Sequence, residues 1–146
     1  MTASFRKNVL FKRPGLTASL SYYAPGLKMR QHRHDYHQVS WLLVGEMQES
    51  GRRREQDLFR FSCGFKPAEF VHANRYGPSG SLILAVNIDP EAGIYEGPLS
   101  LKDWRWRLPE DDRAQRRLGQ LLVLLADPDS AEEQVIWDLL ALSHHG

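Results

Sequence analysis

The chain has 146 residues, 42% of them hydrophobic and 25% charged, which fits one domain with a core of its own. Its 19 basic and 18 acidic side chains give a net charge of +1, which argues against binding DNA or an anionic membrane through bulk charge. The single cysteine excludes an internal disulfide, and no segment resembles a signal peptide or is apolar over a membrane-spanning length. We therefore expect a cytoplasmic protein.

Up to residue 108 the sequence predicts short β-strands separated by turns. The strand-like runs read NVLF, LTASLSYY, HQVSWLLV, DLFRFSC, EFVHANRY and SLILAVNI, and most of the breaks between them contain glycine or proline. Several short strands at this spacing, with no helical period between them, are typical of an antiparallel sandwich or barrel. The sequence therefore predicts a β-domain over residues 1–108.

After residue 108 the hydrophobic period becomes helical and predicts a helical hairpin over residues 109–146. Pro109 is expected to open the first helix, and Ser130 with Glu133 predicts a capping box for the second. The apolar stripes of the two helices contain Leu118, Leu121, Leu122, Leu125, Ile136, Leu139 and Leu140. Two interpretations of these stripes stay open, since they can cover an open face of the sheet or pair with a second copy as a homodimer interface.

The stretch QHRHDYHQ at residues 31–38 carries three of the six histidines. If it forms one regular strand with the residues that follow, one face presents His32, His34, Gln38 and Ser40, and the opposite face presents Val39 and Trp41. His37 lies on the second face and is not expected to join the first set. His72, in a later strand, adds a third imidazole for a metal site or a polar ligand pocket.

These residues resemble the first motif of the cupin superfamily. Gly26, His32, His34 and Gly45 stand at that motif's spacing, with Gln38 where the family has glutamate. The second motif is matched in Pro67 and His72, whereas Tyr76 stands where the family has asparagine. The resemblance implies a jelly-roll barrel, mainly β, with the helical hairpin after it. It also implies metal-ligand positions at His32, His34, Gln38 and His72.

A finer resemblance is to the N-terminal sensor domains of AraC-type transcription regulators. It is carried by the phrases HRHDYHQVSWLLVGEMQES and KPAEFVHANRYGPSGSLILAVNID, followed by a Trp-rich connection and two apolar helices. This resemblance implies a barrel that binds a small-molecule effector and helices that support a homodimer. The DNA-binding half of such regulators is absent from this chain, so DNA contact is expected only through a further domain.

Three functions follow as hypotheses. The first is the effector-sensing domain, with a pocket formed by His32, His34, Gln38, Ser40, His72 and Tyr76. The second is a stand-alone cupin enzyme of the dioxygenase or isomerase type, which would use a divalent metal (Zn, Fe, Mn or Ni) on the same histidines. The third is a binding module without metal. No other catalytic motif is visible, and the amide of Gln38 in place of a carboxylate is expected to weaken metal binding.

Overall fold

The computed structural model describes residues 5–92, 104–107 and 112–143, which form eight strands and two helices. The strands are β1 (Phe5–Arg13), β2 (Leu16–Tyr23), β3 (Lys28–His32), β4 (His37–Gly51), β5 (Arg54–Leu58), β6 (Cys63–Lys66), β7 (His72–Ile88) and β8 (Arg105–Arg107). The helices are α1 (Asp112–Ala126) and α2 (Glu133–Leu142). The predicted order, a mainly β domain followed by two helices, is confirmed.

Two long strands, β4 and β7, connect the two layers of the β-domain. The first half of β4 and the second half of β7 pair with each other inside the order β1-β2-β7-β4-β6-β8. The second half of β4 and the first half of β7 also pair with each other, and they form the second layer with β5 beside β4 and β3 beside β7. Every pairing is antiparallel, and the cavity lies between the two layers. The runs EFVHANRY and SLILAVNI are predicted as two strands with a break at residues 77–80, but both contribute to the 17-residue strand β7.

Strands β4 and β7 bend where two glycines meet. Both Gly45 and Gly80 have positive φ, at 86° and 73°. A Cβ atom on Gly45 would lie 1.9 Å from the carbonyl oxygen of Gly80, so a larger residue cannot fit there. The β4–β7 register shifts on both sides of this point, between Leu42 and Val44 and between Gly45 and Met47. These irregularities let each strand pass from one layer to the other.

The two helices pack on the outer face of the β1-β2-β7-β4-β6-β8 layer. Leu121, Ile136 and Leu139 are fully buried and belong to the same hydrophobic cluster as Val39 and Trp41 of β4. Arg13 of β1 also forms a salt bridge with Glu133 of α2. The helices and the β-domain therefore share one core, although the predicted boundary at residue 108 lies outside the described residues.

Most side chains predicted for a dimer interface are buried within this one chain. Leu118, Leu121, Leu125, Ile136, Leu139 and Leu140 are each at most 3% exposed, and the half-buried Leu122 packs at the edge of the same cluster. The helix stripe therefore covers the sheet, as one of the two interpretations proposed. A second copy could reach these leucines only if the helices left the sheet. Whether the chain forms a homodimer by another surface stays a prediction.

The start of each helix differs from the sequence-based expectation. Pro109 lies outside the described residues, and the helix that they show begins at Asp112. The predicted capping box of α2 is wrong, because the N-cap residue is Glu132 and its side chain makes no capping hydrogen bond. The Ser130 hydroxyl donates instead to Asp127, inside the turn between the helices. Among the described residues, neither helix has the length and hydropathy needed to span a membrane.

Candidate metal centre and ligand cavity

Three imidazoles, those of His32, His34 and His72, meet at one side of the cavity. A potential ligand atom from each lies within 4.8 Å of the others. His32 and His72 are direct cross-strand partners on β3 and β7. His34 lies two residues beyond the end of β3, and its carbonyl oxygen accepts a hydrogen bond of 2.7 Å from the Glu69 N–H. One regular strand through residues 31–38 was therefore the wrong expectation, but the three histidines converge.

Hydrogen bonds at the Nδ1 atoms fix the orientation of these rings. The Nδ1 of His32 lies 2.7 Å from the carbonyl oxygen of Arg30, and that of His72 lies 3.0 Å from the carbonyl oxygen of Phe70. Because a carbonyl can only accept, each Nδ1 must carry the proton and each Nε2 has a free lone pair. The Nδ1 of His34 is 3.1 Å from the hydroxyl of Tyr36, which can accept in the same way.

Burial keeps two of these imidazoles neutral. Desolvation, assisted by the positive charges of neighbouring groups, lowers the pKa of His34 to about 4. Desolvation and the nearby Lys66 ammonium likewise lower the pKa of His72 to about 4. A neutral imidazole is the form that binds a metal ion, so His34 and His72 are ready to bind a cation at neutral pH.

Gln38 lines the same cavity but has a different immediate partner. Its amide nitrogen donates to Asn87 across the β4–β7 pair, at 3.0 Å. That bond leaves the amide oxygen available as a neutral acceptor. His37, on the opposite face, accepts a hydrogen bond of 2.9 Å from the Ala68 N–H and is outside the histidine cluster.

The cavity itself has a volume of about 390 Å³ and extends from the histidines towards the middle of the barrel. All six predicted ligand-binding residues line it, including Ser40 and Tyr76. Tyr76 stacks on Tyr23, with ring centroids 4.2 Å apart. Hydroxyls from β2 and β4 face the space as well. Such a mixture of polar groups and aromatic walls is typical of small-molecule sites.

A buried carboxylate, Glu49, is the main feature that the sequence did not reveal. Its Oε1 accepts from the indole nitrogens of Trp104 and Trp106, at 2.6 and 2.7 Å. Its Oε2 accepts from Asn74 at 2.8 Å and from the Lys66 ammonium at 3.0 Å. Burial alone would raise the pKa of Glu49, but Lys66 and these donors outweigh it and hold that pKa well below the usual range.

Glu49 was missed because the bend of β4 reverses which residues face the cavity. Gln38 and Ser40 face it before the bend, whereas Met47 and Glu49 face it afterwards. The sequence signal at this reversal is the glycine at position 45, which the structure shows with positive φ. A glycine within a strand indicates a bend, but it does not indicate which residues turn inwards. Trp104 and Trp106 lie on the same side of their segment, because both indoles donate to Oε1 of Glu49.

Comparison with known proteins identifies the fold. No protein-family model matches the chain, and no curated protein matches it. Among solved structures, KdgF from Halomonas sp. is similar at a TM-score of 0.56 and 14% identity, over 64% of this chain and 88% of that one. A cupin superfamily protein from Desulfitobacterium hafniense matches at a TM-score of 0.53 and 19% identity, over 57% and 76% of the two chains. A variant of oxalate decarboxylase from Bacillus subtilis matches at a TM-score of 0.51 and 16% identity, over 58% of this chain and 25% of that one.

These similarities establish a cupin fold for the β-domain. At such identities they carry no assignment of substrate or activity, and none of the similar structures named here is a transcription regulator by its description. The three-histidine cluster is a site at which cupin-fold proteins can bind a metal.

Proposed function

We propose that the chain binds one divalent metal through His32, His34 and His72 and holds a small-molecule ligand in the adjoining cavity. The observation that carries this proposal is the orientation of the rings. Two backbone carbonyls hold the Nδ1 protons of His32 and His72, and the Tyr36 hydroxyl can do the same for His34. Such bonds are the usual outer contacts of metal-binding histidines, because they leave each Nε2 directed at the ion.

The donor set suits a cation of borderline hardness. Three imidazole donors favour Zn, Fe or Ni, and Mn is a further candidate if oxygen donors complete the shell. Gln38 could add an amide oxygen but no charge, so the bound ion would keep its full positive charge. The positions not occupied by histidine would then be open to water or to an oxygen atom of the ligand.

The finer part of the proposal is that ligand binding is sensory, as in the AraC-type regulators that the sequence resembles. The support is a physical connection from cavity to helices. Glu49 and Trp106 line the cavity and bond to each other. Trp106 belongs to β8, which ends only five positions before α1 begins. A shift of β8 on ligand binding would therefore act directly on the helices, and through them on a homodimer and an attached DNA-binding domain.

The alternative is a metal-dependent enzyme of the dioxygenase or isomerase type. Its support is that three protein ligands leave open coordination positions next to a cavity large enough for a substrate. One of the similar folds is named as an oxalate decarboxylase, which is a precedent for catalysis on this fold. A metal-free binding module is the third hypothesis.

Metal titration tests the proposed site. Protein stripped with a chelator would be titrated with Zn²⁺, Ni²⁺, Mn²⁺ and anaerobic Fe²⁺, followed by calorimetry and elemental analysis. We expect one ion per chain in the wild type, loss of binding in His34→Ala, and unchanged binding in His37→Ala, the matched control outside the cluster. A wild type at background metal content, or a His34→Ala variant that binds equally well, would contradict the site.

Sensor and enzyme can then be separated with the metal-loaded protein. The sensor predicts that a bound ligand changes the fluorescence of Trp104 and Trp106 and the hydrogen exchange of α1 while the ligand is recovered unchanged. The enzyme predicts that the ligand is consumed and that turnover disappears with the metal in His34→Ala. Charged substitutions at Leu121 and Leu139 are unsuitable as a dimer test, because both side chains are fully buried in one chain.

A further inference from the structure

The charges that line the cavity are unequal in sign. Among the described residues its wall contains three basic side chains, Lys7, Arg30 and Lys66, and one carboxylate, Glu49. Lys7 and Arg30 are exposed, whereas Lys66 is buried at 7% exposure. The histidines add no negative charge, and a metal ion beside them would add positive charge. The wall is therefore suited to an anionic ligand.

The one carboxylate of the wall is already fully used by the protein. Its two oxygens accept four hydrogen bonds, two from indoles, one from Asn74 and one from Lys66. These donors spread and offset its negative charge, so that Glu49 is a poor partner for a further cation and repels an anion only weakly. Its role towards the cavity is to hold Lys66 in place.

Lys66 retains the capacity to bind an anion. An ammonium has three N–H donors, and the bond to Glu49 uses one of them. The group also lies over the Trp106 ring, 5.5 Å from its centroid, on the cavity wall. Lys66 lines the same cavity of about 390 Å³ as His34 and His72. One small molecule in that cavity can therefore contact both Lys66 and the histidines.

The remaining polar wall suits hydroxyl groups. Ser19 and Ser21 of β2 and Ser40 of β4 line the cavity with hydroxyls that both donate and accept, and Asn87 adds an amide. These hydroxyl and amide groups carry no charge. They can bond to a hydroxylated carbon chain without adding a second strong requirement for charge.

We propose that the natural ligand is a small hydroxylated carboxylate whose carboxylate group binds the Lys66 ammonium. This inference deepens the proposed function, since it names the ligand class of the same cavity. It concerns a residue outside the histidine cluster, however, so that it can fail or hold independently of the metal.

The test compares two probes that differ in one group. D-gluconate and D-sorbitol have the same carbon skeleton and similar hydroxyls, but only gluconate has a carboxylate. Calorimetric titration of the full chain, with and without Zn²⁺, should give a dissociation constant for gluconate at least tenfold below that for sorbitol. Inorganic phosphate is the third probe, because it carries negative charge without a carboxylate.

Two variants test the role of Lys66. Lys66→Met alone leaves the Glu49 carboxylate buried without its cation, so the double variant Lys66→Met/Glu49→Gln, which removes both charges, accompanies it. The matched control is Lys28→Met, which removes an exposed lysine that does not line the cavity. We expect the folded double variant to bind gluconate at least tenfold more weakly and Lys28→Met to bind as the wild type does.

Sorbitol binding as tightly as gluconate, or gluconate binding unchanged in the double variant, would overturn the proposal. Phosphate binding more tightly than gluconate would overturn its carboxylate assignment. Metal content measured on the same samples separates this result from the proposed metal site. Gluconate binding by protein that takes up no Zn²⁺ would support Lys66 while refuting the histidine site, and Zn²⁺ binding without gluconate binding would do the reverse.

Discussion

The two faces of the β1-β2-β7-β4-β6-β8 layer come from the same strands but are built in opposite ways. On β4, Val39 and Trp41 point outwards into the hydrophobic cluster under the helices. Their neighbours Gln38 and Ser40 point inwards and line the cavity. The outer face excludes water by packing, whereas the inner face keeps a partly polar cavity of about 390 Å³.

This difference shows two separate sources of order in one sheet. The outer face depends on buried apolar area, and such packing tolerates changes in side-chain shape as long as the total volume is kept. The inner face depends on completed hydrogen bonds, and no buried side-chain polar atom of the described residues lacks a partner. We therefore expect the inner face to respond sharply to a change of charge and the outer face to a change of volume.

The largest effect is expected from Glu49→Gln on the inner face. The change leaves the buried Lys66 ammonium without its anion and should lower the free energy of unfolding by about 3–5 kcal/mol. Urea denaturation measures it. Lys66→Met/Glu49→Gln should recover much of the loss, because the two charges are removed together. A single variant as stable as the wild type would mean that the pair does not support the inner face.

A somewhat smaller effect is expected from Leu139→Ala on the outer face. Leu139 is fully buried between α2 and the sheet, so truncation should cost about 2–5 kcal/mol through lost burial and a cavity. The control is Val123→Ala on α1, which is 71% exposed and should change stability by about 0.5 kcal/mol or less. Metal content should be unaffected in both. Loss of metal in Leu139→Ala would show that the two faces are not separable.

Acid should act through the inner face. The pKa of Glu49 is lowered in the folded chain from 4.5, so its ionisation stabilises the fold above the usual carboxyl range. That contribution is lost as the pH falls from the unfolded pKa through the lowered folded value. Unfolding measured between neutral and acid pH should therefore show a steeper loss in the wild type than in Lys66→Met/Glu49→Gln. Lys66 also contributes to the lowered pKa of His34 and His72, so the slopes are compared below about pH 4, where both histidines are already protonated in the fold and Glu49 still titrates. Equal slopes in that range would refute this assignment.

Tyr36→Phe is expected to have the smallest effect on stability. It should nevertheless weaken metal binding measurably. The change removes the hydroxyl 3.1 Å from the Nδ1 of His34 and frees that ring to turn. Loss of such an outer contact typically weakens metal binding about 10–100-fold, which calorimetry would detect. Tyr22→Phe, at an exposed position of β2, is the matched control. Equal affinities in the two variants would exclude a positioning role for Tyr36.

Much of the candidate site was predictable because its signals are local in sequence. The alternation of Gln38 and Ser40 with Val39 and Trp41 needed only the period of a strand. The three histidines were indicated by their motif spacing, although His34 lies outside any strand. Glu49 was not predictable, because the shift at Gly45 turns the other residues of β4 inwards. Lys66 and the two tryptophans reach Glu49 from β6 and the β8 segment, and no local pattern brings those segments together.

By itself, the sequence determined that a set of strands precedes two helices, the apolar stripe of each helix and the histidines that meet at the cavity. Periodicity and spacing carry that information, because each pattern is set by the geometry of a single element or motif. Only the tertiary structure decided that the helix leucines cover the sheet within one chain and that a bend places Glu49 beside Lys66. Both outcomes depend on contacts between segments that are distant in the sequence. The free energy of those contacts comes from excluding water together and from pairing charges, so the residue pattern of one segment cannot predict them.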